Sequence, residues 1–311
     1  MNPLQAALDD YLAMRRALGH KLCWPGKLLQ QFVAFAGQTG ADFITADLAL
    51  TWATQRPTGH SAEWGRRLRA VRHFAQYCSA RDPRTVVPPP NLLPDRYRRP
   101  TPYIYRDDEI LRLLDAAAAL PSVTGLRPRT YVTLFGLYAV TGMRCKEPLQ
   151  IDRDDVDWGN GVLTIRGTKF GKSRYVPIHS TTQDALRDYA AFRDRLCRNP
   201  ESPSFFVSER GTRLTHWRVR ATFVSLSHQT GLRSAGDSHG PRLHDLRHRM
   251  AVTTLLRWYR DGVDVERHLP ELSTYLGHAH VTDTYWYLTA TPELLQHAML
   301  RLEQPEPRIL P

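Results

Sequence analysis

The second half of the 311-residue chain contains side chains of the types that act on a phosphodiester. They lie in four short segments with the sequences TGMRCKEPLQI, RGTKFGKSRYVPI, LHDLRH and YLGHAHVTDTYWYL. Six side chains in these segments are candidates for catalysis: Arg144, Lys169, His244, Arg247, His278 and Tyr287. A phenol can attack phosphorus to form a covalent intermediate, while guanidinium and imidazole groups donate to the phosphate oxygens. The set predicts transesterification of a phosphodiester.

The residue types suggest a role for each group. Arg144 and Arg247 each offer a planar fork of N–H donors to the non-bridging oxygens, a geometry that lysine cannot copy. His278 adds a donor, and His244, with an ordinary pKa near neutrality, is suited to taking or holding the tyrosyl proton. Lys169, in the turn of a predicted hairpin, is suited to protonating a leaving alkoxide oxygen. No paired carboxylates point to divalent-metal chemistry, so no metal or cofactor is expected.

The composition predicts a globular chain that binds nucleic acid. Hydrophobic residues make up 42% and charged residues 23%, and the net charge of +11 favours a polyanionic partner. The length predicts two domains. No apolar run approaches a membrane span and no signal peptide is recognisable, so we expect no membrane association. The cysteines are far apart and lack a C-x-x-C pair, which favours reduced thiols in the cytoplasm: Cys23, Cys78, Cys145 and Cys197.

Apolar spacing predicts a mainly α-helical protein. In an N-terminal domain over residues 1–85, four helices are expected: 4–17, 27–37, 46–54 and 62–79. The Pro- and Arg-rich segment 86–102 cannot sustain a helix and is predicted to be a linker. In the second domain, 103–311, helices are expected from an acidic start after Tyr103 and at 129–140, 180–197, 215–230, 243–260 and 282–302. Segments IDRDDVDW, GVLTIRG and SRYVPIH alternate with period two and predict a small three-stranded antiparallel sheet.

The last helix of the first domain is predicted to face DNA. A helical wheel over EWGRRLRAVRHFAQYCSA gathers Arg66, Arg69 and His73 on one side. The apolar residues gather on the other side: Leu68, Val71, Phe74, Ala75 and Cys78. Such a helix can be held by its apolar face while its basic face enters a groove of DNA. A solvated basic face is the alternative interpretation.

In their order and spacing, the four chemical segments resemble the tyrosine recombinase, or phage integrase, family. The resemblance covers about residues 103 to 295 and implies that all six candidates are catalytic. It implies that Glu147 is a supporting carboxylate, which buttresses the Arg144 segment or a neighbouring basic group. The four-helix segment before the linker matches the family's core-binding domain only in layout.

The chain departs from the family pattern in two places. Pro148 stands where an apolar helix former is usual, so a helix there would begin late or bend. The interval between Arg247 and His278 looks several residues longer than in typical members, which implies an extended helix or loop.

Two of the assigned residues have rivals of the same type nearby. Lys172 lies in the same turn as Lys169, and Tyr285 lies two residues before Tyr287. The family's spacing favours Lys169 as the general acid and Tyr287, nine residues after His278, as the nucleophile.

The resemblance implies a site-specific DNA recombinase, in phage integration, transposition, cassette movement or chromosome-dimer resolution. The Arg-rich composition and the longer interval before His278 favour a mobile-element recombinase over a chromosome-dimer resolvase. It would cleave DNA through a 3′-phosphotyrosyl bond and rejoin it with the 5′ hydroxyl of a partner duplex, without metal or ATP. Its partners would be double-stranded DNA with a specific crossover site and further copies of the chain in a tetramer, with or without partner recombinases. The C-terminal helix would dock on a neighbouring subunit through four apolar residues: Leu294, Leu295, Met299 and Leu302.

Two other functions are compatible with the segments. A type IB topoisomerase shares the tyrosine, arginine and lysine chemistry but relaxes a single duplex, and it could work as a monomer. A DNA-binding accessory protein or transcription factor could retain the fold without catalysis, although every catalytic position is filled here. The native size of the protein–DNA complex distinguishes a recombinase from a topoisomerase. Trapping of a covalent adduct distinguishes it from a protein without catalysis.

Overall fold

The computed structural model describes residues 3–55, 61–94, 101–167, 173–197, 202–237, 240–289 and 291–303. The chain divides into two compact units, Met1–Pro100 and Thr101–Pro311. The structure confirms the predicted fold class, since most described residues are helical and a small three-stranded antiparallel sheet lies in the second unit. None of the described helices is long and apolar enough to cross a membrane.

The first unit consists, in its described part, of the four predicted helices: α1 Pro3–Ala17, α2 Cys23–Gln38, α3 Ala46–Thr54 and α4 Ser61–Ser79. Helix α2 begins four residues earlier than predicted because Pro25 falls in its first turn, where a missing N–H costs nothing. Helix α3 begins after Thr45, whose side chain accepts a hydrogen bond from the backbone N–H of Leu48. A proline in the first turn of α2 and a side-chain cap on α3 thus mark where these two helices start.

The core of the first unit forms where the apolar faces of the four helices meet. Phe32 and Phe74 are fully buried, and the ring of Phe32 meets that of Trp52 edge-on, with centroids 5.4 Å apart. The whole predicted apolar side of α4 is buried, as the helical wheel indicated: Leu68, Val71, Phe74, Ala75 and Cys78. Arg66, Arg69 and His73 are exposed.

The predicted linker is partly packed on the first unit. The backbone N–H of Val86 donates to the carbonyl of Ile44 at 2.8 Å, and Val87 and Leu93 pack against the first core. Residues 95–100 lie outside the described part of the chain. The described part of this segment contains no helix, as predicted, but it belongs to the first unit.

The second unit begins with α5 Asp107–Ala118 and α6 Leu126–Thr141, which pack against each other more extensively than any other two described helices. Strands β1 Val156–Asp157, β2 Val162–Ile165 and β3 Arg174–Pro177 follow, and β2 pairs with both neighbours. The remaining helices of its described part are α7 Ser180–Leu196, α8 His216–Gln229, α9 Asp245–Arg260, α10 Val265–Leu276, α11 Thr282–Tyr285 and α12 Pro292–Glu303.

Three local predictions for the second unit were wrong or incomplete. The strand expected in IDRDDVDW has only two residues, because Asp152 and Asp155 form a capping box around a 3₁₀ turn. The long interval before His278 contains a separate helix, α10, capped by Asp264. The helix expected over 282–302 is interrupted by a 3₁₀ turn, Trp286–Thr289, and α12 restarts with Pro292 at its first position.

We predict that Phe74→Ala destabilises the first unit by about 3–5 kcal/mol, since it leaves a cavity among rings that are fully buried. His73→Ala, one residue earlier on the exposed side of α4, should change the free energy of unfolding little. Urea denaturation of the full chain measures both, and equal losses for the two variants would contradict the assignment of the buried face.

Candidate active site

The candidate site forms where the C-terminal ends of α6 and α10 meet the N-terminal turn of α9. Helix ends leave carbonyls without an intrahelical partner and carry partial negative charge. Arg247, in the first turn of α9, donates from Nη1 to the carbonyl of Gly142 and from Nη2 to that of Leu276, both at 2.8 Å. Its side chain is only 3% exposed. A buried guanidinium thus joins the ends of two helices that are distant in sequence.

Arg144 lies beside it, in the turn that follows α6. Its Nη2 donates to the carbonyl of Gly277, the residue after Leu276, and its Nη1 donates to Glu147 Oε1 at 3.0 Å. The two guanidiniums are therefore anchored on consecutive carbonyls at the end of α10. A quarter of the Arg144 side chain is exposed, so this cation is accessible from solvent.

Glycine is required at both helix ends. Gly142 and Gly277 adopt left-handed backbone conformations, with φ of 60° and 71°, that close α6 and α10. A Cβ at position 277 would lie 2.9 Å from Nη1 of Arg174. Because Gly277 has no side chain, Arg174 can pack directly against the end of α10, whose carbonyls also accept from Arg144 and Arg247.

His278 directly follows Gly277 and so enters the site at the end of α10. Its Nδ1 lies 2.7 Å from the hydroxyl of Thr284, a fully buried residue of α11. This contact fixes the ring and leaves Nε2 for a substrate oxygen. The imidazole ring lies nearly parallel to that of Tyr287, with centroids 6.0 Å apart.

Of the two neighbouring tyrosines, Tyr287 is the one that packs among the predicted site residues. It lies in the 3₁₀ turn after α11, is 3% exposed, and its phenol interacts directly with the Arg247 guanidinium. Tyr285 is 52% exposed. Burial lowers the pKa of Arg247, and the interaction with Tyr287 offsets part of that effect.

His244 occupies the N-terminal boundary of α9, three residues before Arg247. Its Nδ1 lies 4.0 Å from the thiol of Cys145, and its ring meets that of His248 edge-on at 4.9 Å. The ring of His248 in turn lies 5.5 Å from that of Tyr287. Sequence reasoning gave His248 no role, yet it connects the candidate base to the candidate nucleophile.

Both candidate imidazoles are neutral at pH 7 in the free protein. Burial, and then the positive charge of Arg247, lower the pKa of His244 and that of His278 to about 4. The expected pKa near neutrality for His244 was therefore wrong, because sequence alone does not reveal burial beside cations. The Cys145 thiol is also protonated, since burial raises its pKa to about 11.

Glu147 is buried and remains ionised. Burial by itself would raise the pKa of this carboxyl, but hydrogen bonds from Arg174 and Arg144 lower it below its usual value. Arg174 was not assigned any role from the sequence. It shares a face of β3 with the buried Val176, and this period-two pattern was the available signal that it points inward.

The predicted lysines lie outside the described residues. Lys169 and its rival Lys172 fall in 168–172, between β2 and β3. The choice between them stays a prediction. Pro148 begins a 3₁₀ turn, Pro148–Gln150, directly after Glu147, so the chain there bends as expected and Arg144 still reaches the site.

The predicted DNA-facing residues belong to the first unit. Arg66 pairs with Glu63 at 3.2 Å. Arg66, Arg69 and His73 together line a cavity of about 280 Å³. Burial, and then Arg72, Arg15 and Arg69, lower the pKa of His73. This side of α4 is therefore rich in cations, whose contact with DNA stays a prediction.

One face of the C-terminal helix α12 packs against its own unit. Leu294 is buried there, so its predicted place on a docking face was wrong, because it completes the core formed with α9 and α10. Leu295 and Met299 are about half exposed. The side chain of Leu302 lies outside the described part of the structure.

The arrangement as a whole defines a class: a mainly helical fold that gathers two arginines, two histidines and a tyrosine near helix ends. Residues 104–293 match the Phage integrase family. Over 308 residues, 98% of each chain, the protein is 49% identical to y4rB of Sinorhizobium fredii, which is named as an integrase/recombinase. It is 30% identical to the tyrosine recombinase XerD of Caulobacter vibrioides, covering 96% of each chain.

A solved structure shares the fold. The Tn1549 transposon integrase, determined in complex with transposon right end DNA, matches with a TM-score of 0.66 and 15% identity, over 98% of this chain and 100% of that one. The chain belongs to the phage integrase family of tyrosine recombinases.

We predict that Gly277→Ala destabilises the second unit more than Gly262→Ala. Both glycines have φ near +70°, where alanine costs about 1–2 kcal/mol, but a Cβ at Gly262 meets nothing within 4 Å. At Gly277 it must also displace Arg174, which Glu147 holds, for about 1–3 kcal/mol more. Thermal unfolding of both variants measures the difference, and equal losses would show that Arg174 moves away freely.

We predict that the free protein loses stability as the pH falls from 6.5 toward 5. The unfolded histidines gain protons below pH 6.5, whereas folded His244 and His278 stay neutral until about pH 4, so acid favours the unfolded state. The double variant His244→Gln, His278→Gln should show a weaker decrease in unfolding temperature between pH 7 and pH 5. The exposed His20→Gln is the control, and an unchanged slope in the double variant would contradict the prediction.

Proposed function

We propose that the protein is a site-specific DNA recombinase that cleaves and rejoins DNA through a 3′-phosphotyrosyl bond to Tyr287. One observation carries the proposal. Two guanidiniums, Arg144 and Arg247, are anchored on consecutive carbonyls of α10, and the phenol of Tyr287 contacts the second of them. A phosphate that binds both cations would lie next to the phenol.

The remaining N–H groups of the two guanidiniums are suited to the non-bridging oxygens of the scissile phosphate. Each arginine has five N–H donors, and carbonyls or Glu147 occupy two of them in the contacts above. Nε2 of His278 would donate to the same oxygens. These groups stabilise the charge that grows in the pentacoordinate transition state.

The reaction exchanges one phosphate ester for another. The Tyr287 oxygen loses its proton and bonds to phosphorus, while the bond from phosphorus to the 5′ oxygen breaks and that oxygen gains a proton. Neutral His244 is suited to accept the tyrosyl proton, and Lys169 is proposed to protonate the leaving oxygen. Because a phosphodiester is retained, the 5′ hydroxyl of a partner strand can reverse the step without ATP.

A bound phosphate also changes the proton affinity of the site. Its negative charge would offset the guanidiniums that lower the pKa of His244 and His278 in the free protein. The histidines would then become better proton acceptors when DNA is bound. Since Tyr287 is buried before DNA arrives, its 3₁₀ turn must move to bring the phenol in line with the phosphate.

The partners proposed are a specific crossover site in double-stranded DNA and further copies of the chain. The net charge of +11 and the basic side of α4, with Arg66, Arg69 and His73, favour duplex DNA. The Tn1549 integrase was solved on transposon end DNA, which supports a mobile element as the source of the site. Exposed Leu295 and Met299 on α12 are suited to contact a neighbouring subunit in a tetramer.

We predict that Tyr287→Phe abolishes covalent adduct formation while DNA affinity changes less than about twofold, because only the attacking oxygen is lost. The substrate is a suicide duplex, nicked near the crossover point and cut from the ends of the element that carries the gene. Adducts are counted on denaturing gels in the presence of EDTA and without ATP.

Tyr285→Phe is the matched control, since it removes the same atom two residues away on an exposed ring. It should form adducts at the wild-type rate. Adducts that persist in Tyr287→Phe and vanish in Tyr285→Phe would reverse the assignment, and a wild-type chain that forms none would refute the proposed chemistry.

A further inference from the structure

We propose that Arg174 is a positioning residue of the active site, which ties Arg144 to the Gly277–His278 segment through Glu147 and the carbonyl of Tyr275. The inference rests on the proposed function, because it concerns the same site. Arg174 opens strand β3, and its side chain is 11% exposed, so it is held inside the unit and has little access to DNA.

The three side-chain nitrogens of Arg174 all donate hydrogen bonds, to two acceptor groups on separate elements. Nη1 and Nη2 donate to the two oxygens of Glu147 at 2.8 and 2.7 Å, and Nε donates to the carbonyl of Tyr275 at 3.0 Å. Glu147 lies in the turn after α6, and Tyr275 lies in the last turn of α10. A planar guanidinium spans this distance with fixed angles, whereas a lysine offers a single nitrogen.

Glu147 transmits this geometry to Arg144. Its Oε1 accepts from Nη1 of Arg144 as well as from Arg174, and its Oε2 accepts from the backbone N–H of Arg144 at 2.8 Å. Each carboxylate oxygen therefore receives one hydrogen bond from each arginine. With all four bonds in place, the carboxylate has one orientation, and Arg144 is held by its backbone and its side chain together.

The charges give Arg174 a second effect on Arg144. A buried carboxylate beside a lone guanidinium would pair with it and cancel most of its charge. Here Arg174 balances Glu147, so the charge of Arg144 remains available for a phosphate. The positive charge that Arg144 keeps is needed in a site proposed to stabilise an anionic transition state.

Arg174 also packs against the backbone that carries His278. A Cβ at Gly277 would lie within 3.0 Å of three Arg174 side-chain atoms, and the Gly277 carbonyl is the one that accepts from Arg144. A displacement of Arg174 would therefore shift both the Arg144 anchor and the start of the His278 segment.

The test separates positioning from folding by comparing DNA binding with cleavage. In Arg174→Lys, the single-turnover rate of adduct formation on the suicide duplex should fall about 10- to 100-fold, as expected for a misplacement of about 1 Å, with less than about twofold change in DNA affinity. Arg166→Lys is the matched control, because Arg166 directly follows the preceding strand, pairs with Asp155 and is largely exposed. It should cleave at the wild-type rate.

A second pair of variants tests the charge effect. Arg174→Gln should be slower than Arg174→Lys, because Glu147 then competes for Arg144. Adding Glu147→Gln to the same chain should recover part of the lost rate, since the neutral pair no longer draws Arg144 away. Thermal unfolding of each variant shows that the chains compared are folded, and the lysine variant keeps the test valid should the glutamine variant not fold.

Three outcomes would overturn the inference. They are a wild-type cleavage rate in Arg174→Lys, a loss of DNA affinity as large as the loss of rate, and a double variant no faster than Arg174→Gln. A wild-type chain that forms no adduct would instead overturn the proposed function and this inference with it, so the two failures are distinguishable.

Discussion

The site depends on the attraction between arginine side chains and the unpaired carbonyls at two helix ends. Burying a guanidinium is expensive unless its donors are satisfied, and the ends of α6 and α10 provide acceptors that also carry partial negative charge. Arg247 uses Gly142 and Leu276, and Arg144 uses Gly277. The same bonds hold the helices together and fix the cations, so the stability of the fold and the geometry of the site have a common physical origin.

This arrangement leaves a surplus of positive charge. Arg144 and Arg174 share the buried carboxylate of Glu147, and Arg247 lies close enough to interact with it electrostatically. Burial lowers the pKa of His244 and His278 most, and the charge of the neighbouring guanidiniums lowers it further. Such a cluster of cations is suited to a phosphate, and under the proposed function a bound phosphate would make the two histidines stronger proton acceptors.

Periodicity predicted the helices well and their interruptions poorly. The buried side of α4, from Leu68 to Cys78, follows directly from a 3.6-residue repeat. The separate α10 and the break after Tyr285 do not follow from that repeat, since the capping by Asp264 and the restart at Pro292 depend on single residues. Likewise, the strand expected before Trp158 yields to the local hydrogen bonds of Asp152 and Asp155.

The sequence by itself determined which groups could act: the arginines, histidines and tyrosine, their order along the chain, and the family that they resemble. The tertiary structure decided which of them meet. It buried Tyr287 beside Arg247 while leaving the neighbouring Tyr285 exposed, and it brought Arg174 onto Glu147. These pairings join residues far apart in the chain. Their hydrogen-bond geometry and burial arise only when helix ends pack together, so no local sequence pattern predicts them.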